Sequence, residues 1–143
     1  KKLLTLNKSY KKIFKTNPFI GVLGLNPHND EFRYNSEEKK IIIPMIKYFK
    51  KKGFNITGPI PSDTAFVLQK YDKYDVLVGM YHDQVLQTFK TLFEYNAINI
   101  TLGLKYLRLS PDHGTAQDIM SLGKADSTSL ISCINFISEQ QND

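Results

Sequence analysis

The chain has 143 residues, 41% of them hydrophobic, with no long low-complexity stretch, which suits one core of ordinary domain size. Its formal charge of +5 rests on 19 basic residues, all lysines except Arg33 and Arg108 and scattered as on solvated helix faces, so a nucleic-acid partner is not expected. No apolar run approaches a membrane helix, the lysine-studded start lacks a signal peptide's apolar centre, and the lone Cys133 has no partner for an internal disulfide, so a cytoplasmic protein without a membrane partner is expected.

Leu3, Leu6, Tyr10, Ile13 and Phe14 fall near helical spacing until Asn17 and Pro18 stop the pattern. "FIGVLGL" (19–25) reads as a buried strand. Asn35 followed by Glu38 fits an N-cap with its reciprocal acid, opening a helix with Ile42, Met45, Ile46 and Phe49 on its apolar face and Gly53 at its end. Pro44 inside that helix predicts a kink or a displaced start. "FNITG" reads as a second strand, "GPIPSDTAF" as a rigid turn feeding a short helix, and "DVLVGM" as a third strand. A helix near Gln84 to Phe93, a strand "AINITLG", a loop, a short helix after Asp112 and a terminal helix from about Asp126 complete the order. Strands alternating with helices predict an α/β fold, a three-layer α/β/α arrangement around a mostly parallel sheet, because parallel neighbours need crossovers.

In open α/β sheets, ligands gather beyond the carboxyl ends of the strands. All three histidines follow a predicted strand or its loop: His28 in "GLNPH", His82 in "MYHDQ" and His113 in "SPDHGTA". One such histidine is ordinarily a satisfied loop residue; the shared placement of three points to a site. His28 and His82 are distant in sequence, so a metal reading requires the fold to bring two strand ends together. Neutral imidazoles suit zinc and other first-row divalent ions, and a catalytic ion usually keeps three protein ligands, which would require oxygen from Asp83 or Asp63. Asp63 serves equally well as a cap for the helix it precedes. Asp83 could orient a liganded imidazole or move protons near a reacting hydroxyl. Lys90, Asn99 and Arg108 follow at even spacing. Arg108 is the sharpest of them, since it interrupts the apolar "KYLRLS" and its planar guanidinium grips carboxylate or phosphate in two-pronged fashion.

Taken in order, "GLNPH", "GPIPSDTAF", "MYHDQ", "INITLGL", the arginine at 108 and "DHGTAQDI" resemble the 4-hydroxythreonine-4-phosphate dehydrogenase family, NAD-dependent enzymes of pyridoxal-phosphate biosynthesis, over about Phe19 to Phe136. The resemblance implies an isocitrate/isopropylmalate dehydrogenase-like fold and a divalent metal (zinc, magnesium or cobalt) on His28 and His82. It also implies Asp63 and Asp83 as catalytic residues, Lys90, Asn99 and Arg108 on a phosphorylated hydroxy amino acid substrate, and His113, Gly114 and Thr115 on NAD(P). The reaction it implies is oxidation of a secondary alcohol followed by decarboxylation, in a homodimer. Family enzymes are more than twice this length. The chain is therefore expected to be a single α/β unit, the C-terminal portion of a two-domain enzyme and inactive alone. Within it, about 1–90 would be a metal and substrate lobe and about 91–143 a substrate-phosphate and cofactor lobe. The missing N-terminal portion would carry a third metal-ligating histidine.

The sequence departs from the family in two places. "NDEFRYN" stands where the family has a glycine-rich stretch after "NPH", and Val85 and Gln87 stand where it tends to place glycine and proline. Alternatives to the named activity are a dehydrogenase of threonate or erythronate 4-phosphate, or a truncated noncatalytic module for metal binding or dimerisation.

Overall fold

A computed structural model describes residues 1–141, which form two compact units. One consists of Lys15–Thr88, and the other of Lys1–Phe14 with the chain from Phe89 onward.

In the 15–88 unit, β1 (Ile20–Leu23) lies between β2 (Ile56–Ile60) and β3 (Val76–Val78), paired in parallel with both. Every residue of β1 is buried, as a central parallel strand covered on both faces requires, which is why its sequence is a continuous apolar run instead of an alternation. Gly58 in β2 has φ +136, and a Cβ there would lie 2.3 Å from the Val22 carbonyl oxygen, so glycine is what lets β2 approach where its register with β1 shifts. The crossover between these strands is α1 (Ile43–Lys51), which buries Ile46 and Phe49.

Pro44 sits in the first turn of α1, where its missing N–H has no helical partner to lose, and a π-type turn at Glu38–Ile42 precedes it, so the start is displaced as expected. The cap differs from the sequence reading. Ser36 Oγ, not Asn35, accepts a backbone N–H, that of Lys39 at 3.2 Å, and the Glu38 carboxylate turns away from the helix end to accept the Asn26 N–H at 2.8 Å.

The other unit contains the opening helix Lys2–Phe14 and the terminal end of α2 (His82–Phe93), followed by β4 (Ile98–Thr101), β5 (Arg108–Pro111) and α3 (Thr128–Gln141). The Phe14 ring meets Phe136 of α3 edge-on at 6.2 Å between centroids. Sequence order predicts a loop at "KYLRLS"; its second half, from Arg108, instead opens β5, antiparallel to β4 with Asn99 opposite Ser110 and Thr101 opposite Arg108. The parallel expectation thus holds for the first three strands and not for this pair. The pair alternates cleanly: Asn99, Thr101, Arg108 and Ser110 share one face, while Ile98, Ile100 and Leu109 share the other. Cys133 of α3 is buried, which pushes its thiol pKa up from 9.0 and leaves it a core filler. Among the described residues no helix is long and apolar enough to cross a membrane.

Candidate functional site

The parallel pairing of β1 with β3 gives two neighbouring strands whose carboxyl ends emerge side by side. Gly24 and the loop bearing His28 leave β1 there, and Met80 leads from β3 into α2, whose first turn begins with His82 and Asp83. Gln84 ties the two exits together: its Nε2 donates to the Gly24 carbonyl at 2.6 Å and its Oε1 accepts the Met80 N–H at 2.7 Å. The helix starts at His82 and carries Val85 within it, with no left-handed residue there, which is how valine is accommodated at that position.

His28 Nε2 lies 3.1 Å from Asp63 Oδ2, with the two side chains 69% and 37% exposed. Asp63 therefore faces an imidazole across the lobe, and the cap position of the turn that follows belongs to Phe66. The His28 N–H donates to Asn26 Oδ1 at 3.0 Å, and the Asn29 N–H donates to the Asn26 carbonyl at 2.9 Å. Asn29, Asp30, Glu31 and Phe32 all have positive φ, between 48 and 56. The segment that replaces the glycine-rich stretch thus keeps a left-handed path with side chains on it, one that asparagine and aspartate tolerate better than glutamate and phenylalanine.

The side chains of His82 and Asp83 are exposed and make no hydrogen bond or ion pair among the described residues. Asp83 also places a negative charge at the positive end of α2. No group of three His, Cys, Asp or Glu side chains among the described residues is placed to hold a metal ion. The donor chemistry nevertheless fits part of a divalent site: two imidazoles on adjacent strand exits, with Asp63 on one of them as an orienting carboxylate.

In the other unit, Lys90 Nζ donates to the Asp112 carbonyl at 3.1 Å and lies 3.5 Å from Asp112 Oδ2. The Asp112 N–H donates to Ser129 Oγ at 2.8 Å, and Ser129, fully buried on α3, donates in turn to the Ala97 carbonyl. One hydroxyl therefore clamps the start of β4 to the end of β5. Arg108 Nη1 donates to Thr101 Oγ1 at 2.9 Å across the ladder, which holds the guanidinium on the face that Asn99 shares.

His113, Gly114 and Thr115 line one groove of about 370 Å³ with Tyr95, Lys124 and Asp126. A Cβ on Gly114 would meet nothing within 4 Å and its φ is ordinary, so neither packing nor backbone requires a glycine there. A second groove of about 420 Å³ joins Lys90 and Asp112 to the same Tyr95, His113 and Gly114.

Sequence reasoning did not single out Gln84, Asp112 or Ser129 as positioning groups. Their partners are far away along the chain, and only the position of Gln84 at a strand exit signalled it.

The parallel α/β lobe, with the antiparallel β4–β5 pair in the other unit, has the architecture of the isocitrate/isopropylmalate dehydrogenase-like fold. Residues 1–137 match the family described as "Pyridoxal phosphate biosynthetic protein PdxA". The chain belongs to that family. It is 44% identical over 120 residues to the 4-hydroxythreonine-4-phosphate dehydrogenase of Xanthobacter autotrophicus, covering 83% of this chain and 34% of that protein. It is 43% identical over 137 residues to the same enzyme of a Sulfurihydrogenibium species, covering 94% and 42%. The solved structure of 4-hydroxythreonine-4-phosphate dehydrogenase from Klebsiella pneumoniae superposes with TM-score 0.75 at 39% identity, covering 93% of this chain and 40% of that one. A terephthalate 1,2-cis-dihydrodiol dehydrogenase from Burkholderia xenovorans superposes with TM-score 0.69 at 25% identity, covering 94% and 43%. The chain spans well under half the length of the curated relatives it matches.

Proposed function

We propose that this chain carries metal-, phosphate- and cofactor-binding groups of an NAD-dependent 4-hydroxythreonine-4-phosphate dehydrogenase acting in pyridoxal phosphate biosynthesis. The observation that carries the reading is the parallel neighbourhood of β1 and β3, which sets His28 and His82 on adjacent exits in a chain of this family. A divalent cation such as zinc, magnesium or cobalt would supply charge that lowers the pKa of the substrate's secondary hydroxyl and eases loss of carbon dioxide after oxidation, and NAD would supply the hydride acceptor.

His28 and His82 would hold that cation. Asp63 would orient the His28 ring by accepting from Nε2, which leaves Nδ1 as the remaining ring nitrogen for a ligand bond. Asp83, exposed in the first turn of α2, would take the hydroxyl proton. Lys90, Asn99 and Arg108 would neutralise and fix the substrate phosphate, so that binding becomes orientation. Lys90 would exchange its Asp112 contact for the phosphate. His113, Gly114 and Thr115 would seat NAD along the groove they line, with the bare Gly114 backbone open to close approach. Two copies would pair as a homodimer, a reading supported by the exposed Leu130, Ile134 and Ile137 on α3.

A chimera in which this chain replaces the matching segment of the Sulfurihydrogenibium enzyme tests the reading. NADH formation from 4-phosphohydroxy-threonine is expected, dependent on a divalent ion and lost by about two orders of magnitude or more in His28→Ala or His82→Ala. Undiminished turnover in either variant rejects the ligand assignment. The dihydrodiol dehydrogenase of the same fold favours a second reading, a different diol-like substrate such as threonate or erythronate 4-phosphate. A higher kcat/KM on the acid without the amine would select it. A chimera that folds and dimerises but binds neither cation nor NAD would identify a noncatalytic module.

A further inference from the structure

We propose that Glu38 is a positioning residue for the cation site, a buried negative charge beneath the His28 loop that favours a divalent cation there at the expense of the metal-free fold. The inference rests on the metal reading above. Glu38 is fully buried in the π-type turn ahead of α1. Its Oε1 accepts the Asn26 N–H at 2.8 Å, and Asn26 Oδ1 accepts the His28 N–H at 3.0 Å, so two hydrogen bonds separate this carboxylate from the backbone of His28. Its Oε2 is buried without a hydrogen-bond partner, and among the described residues Glu38 forms no ion pair with a lysine, arginine or histidine.

A second oxygen in the same loop repeats the pattern. Asn29 is almost completely buried, its Nδ2 donates to the Pro59 carbonyl at 3.2 Å, and its Oδ1 has no partner. Turning the amide over would lose the bond it makes. The floor of the loop therefore carries an excess of acceptors. Glutamine at 38 would keep an oxygen for the Asn26 N–H and remove the charge, and a buried carboxylate with no counter-charge weakens a fold. The acid makes physical sense when the compensating positive charge comes from outside the chain. Imidazole ligands are neutral and leave a divalent ion's charge untouched, so a carboxylate two hydrogen bonds from the His28 backbone would lower its energy.

The test compares the chimera described above in its wild-type, Glu38→Gln and His28→Ala forms by calorimetric titration of Co2+ and by thermal melting without metal. Glu38→Gln is expected to melt higher than wild type when metal-free and to bind Co2+ about tenfold more weakly, while His28→Ala loses binding with little change in melting. Glu38→Met, which keeps the volume and drops the charge, should weaken Co2+ binding in the same way. Unchanged Co2+ affinity in Glu38→Gln, or a lower metal-free melting temperature, overturns the proposal and makes Glu38 a structural acceptor. Wild-type and His28→Ala chimeras that bind Co2+ alike, or a wild-type chimera that binds none, remove the metal reading itself and this inference with it.

Discussion

In residues 15–88 a set of apolar side chains, Ile20, Val22, Leu23, Ile46, Phe49 and Ile56, is buried around one central strand. In the other unit the buried apolar side chains among the described residues are Leu3, Ala97 and Cys133, and its strand ends are joined by the Ser129 hydroxyl. The first unit carries its imidazoles, both exposed, on the segments that leave strands β1 and β3. The second holds Lys90 and the 112–115 segment through a few directional bonds, which fail singly and locally. The groups proposed for a cation thus follow from a packed parallel sheet, while the groups proposed for phosphate and cofactor sit on a lighter frame.

The sharpest way to break this contrast is at the centre of the parallel sheet. Ile20→Ala should lower stability by about 2–5 kcal/mol, because Ile20 is fully buried between β2 and β3, and urea denaturation followed by far-UV circular dichroism would show it. Next, Ser129→Ala leaves the Asp112 N–H and the Ala97 carbonyl without their shared partner and should cost about 1–3 kcal/mol. Hydrogen exchange should accelerate in β4 and β5 while β1 amides keep their protection; equal acceleration in both units would erase the distinction. Glu31→Gly should raise stability by about 1 kcal/mol, since φ 49 is strained for glutamate and free for glycine, and a downward shift in the urea midpoint would refute the left-handed path.

The smallest effect concerns pH. The Thr128 side-chain and backbone hydrogen bonds hold the Asp126 carboxyl below its ordinary 3.8. The folded chain therefore binds this proton more weakly than the unfolded chain, so the contribution is complete above that ordinary value and fades as pH falls through the lowered folded one. Protection factors of amides in the first turn of α3, taken relative to the unfolded exchange rate at the same pH, should fall below about pH 4, and Asp126→Asn should remove that dependence.

The parallel lobe was readable because burial on both faces leaves an uninterrupted apolar run, which "FIGVLGL" and "DVLVGM" display. β5 was not, because its alternation runs over only four residues, Arg108 to Pro111, too short a stretch to separate strand from loop. Glu38 was misplaced for a related reason. Its spacing from Asn35 satisfies a local capping rule, whereas its actual partner, the Asn26 N–H, belongs to a loop that only the fold brings near. The histidines stood out by their place after strands, but the order β2-β1-β3 that makes two of those strands neighbours is a property of the sheet and not of any window of sequence.

The opening helix Lys2–Phe14 shares its compact unit with residues from Phe89 onward, so the 15–88 segment is inserted between the two halves of its neighbour. A ribosome making this chain releases the whole inserted segment before the helix has a completed partner such as Phe136. Nascent chains stalled shortly after residue 120 should therefore resist protease over 15–88 while the first fourteen residues are still cut.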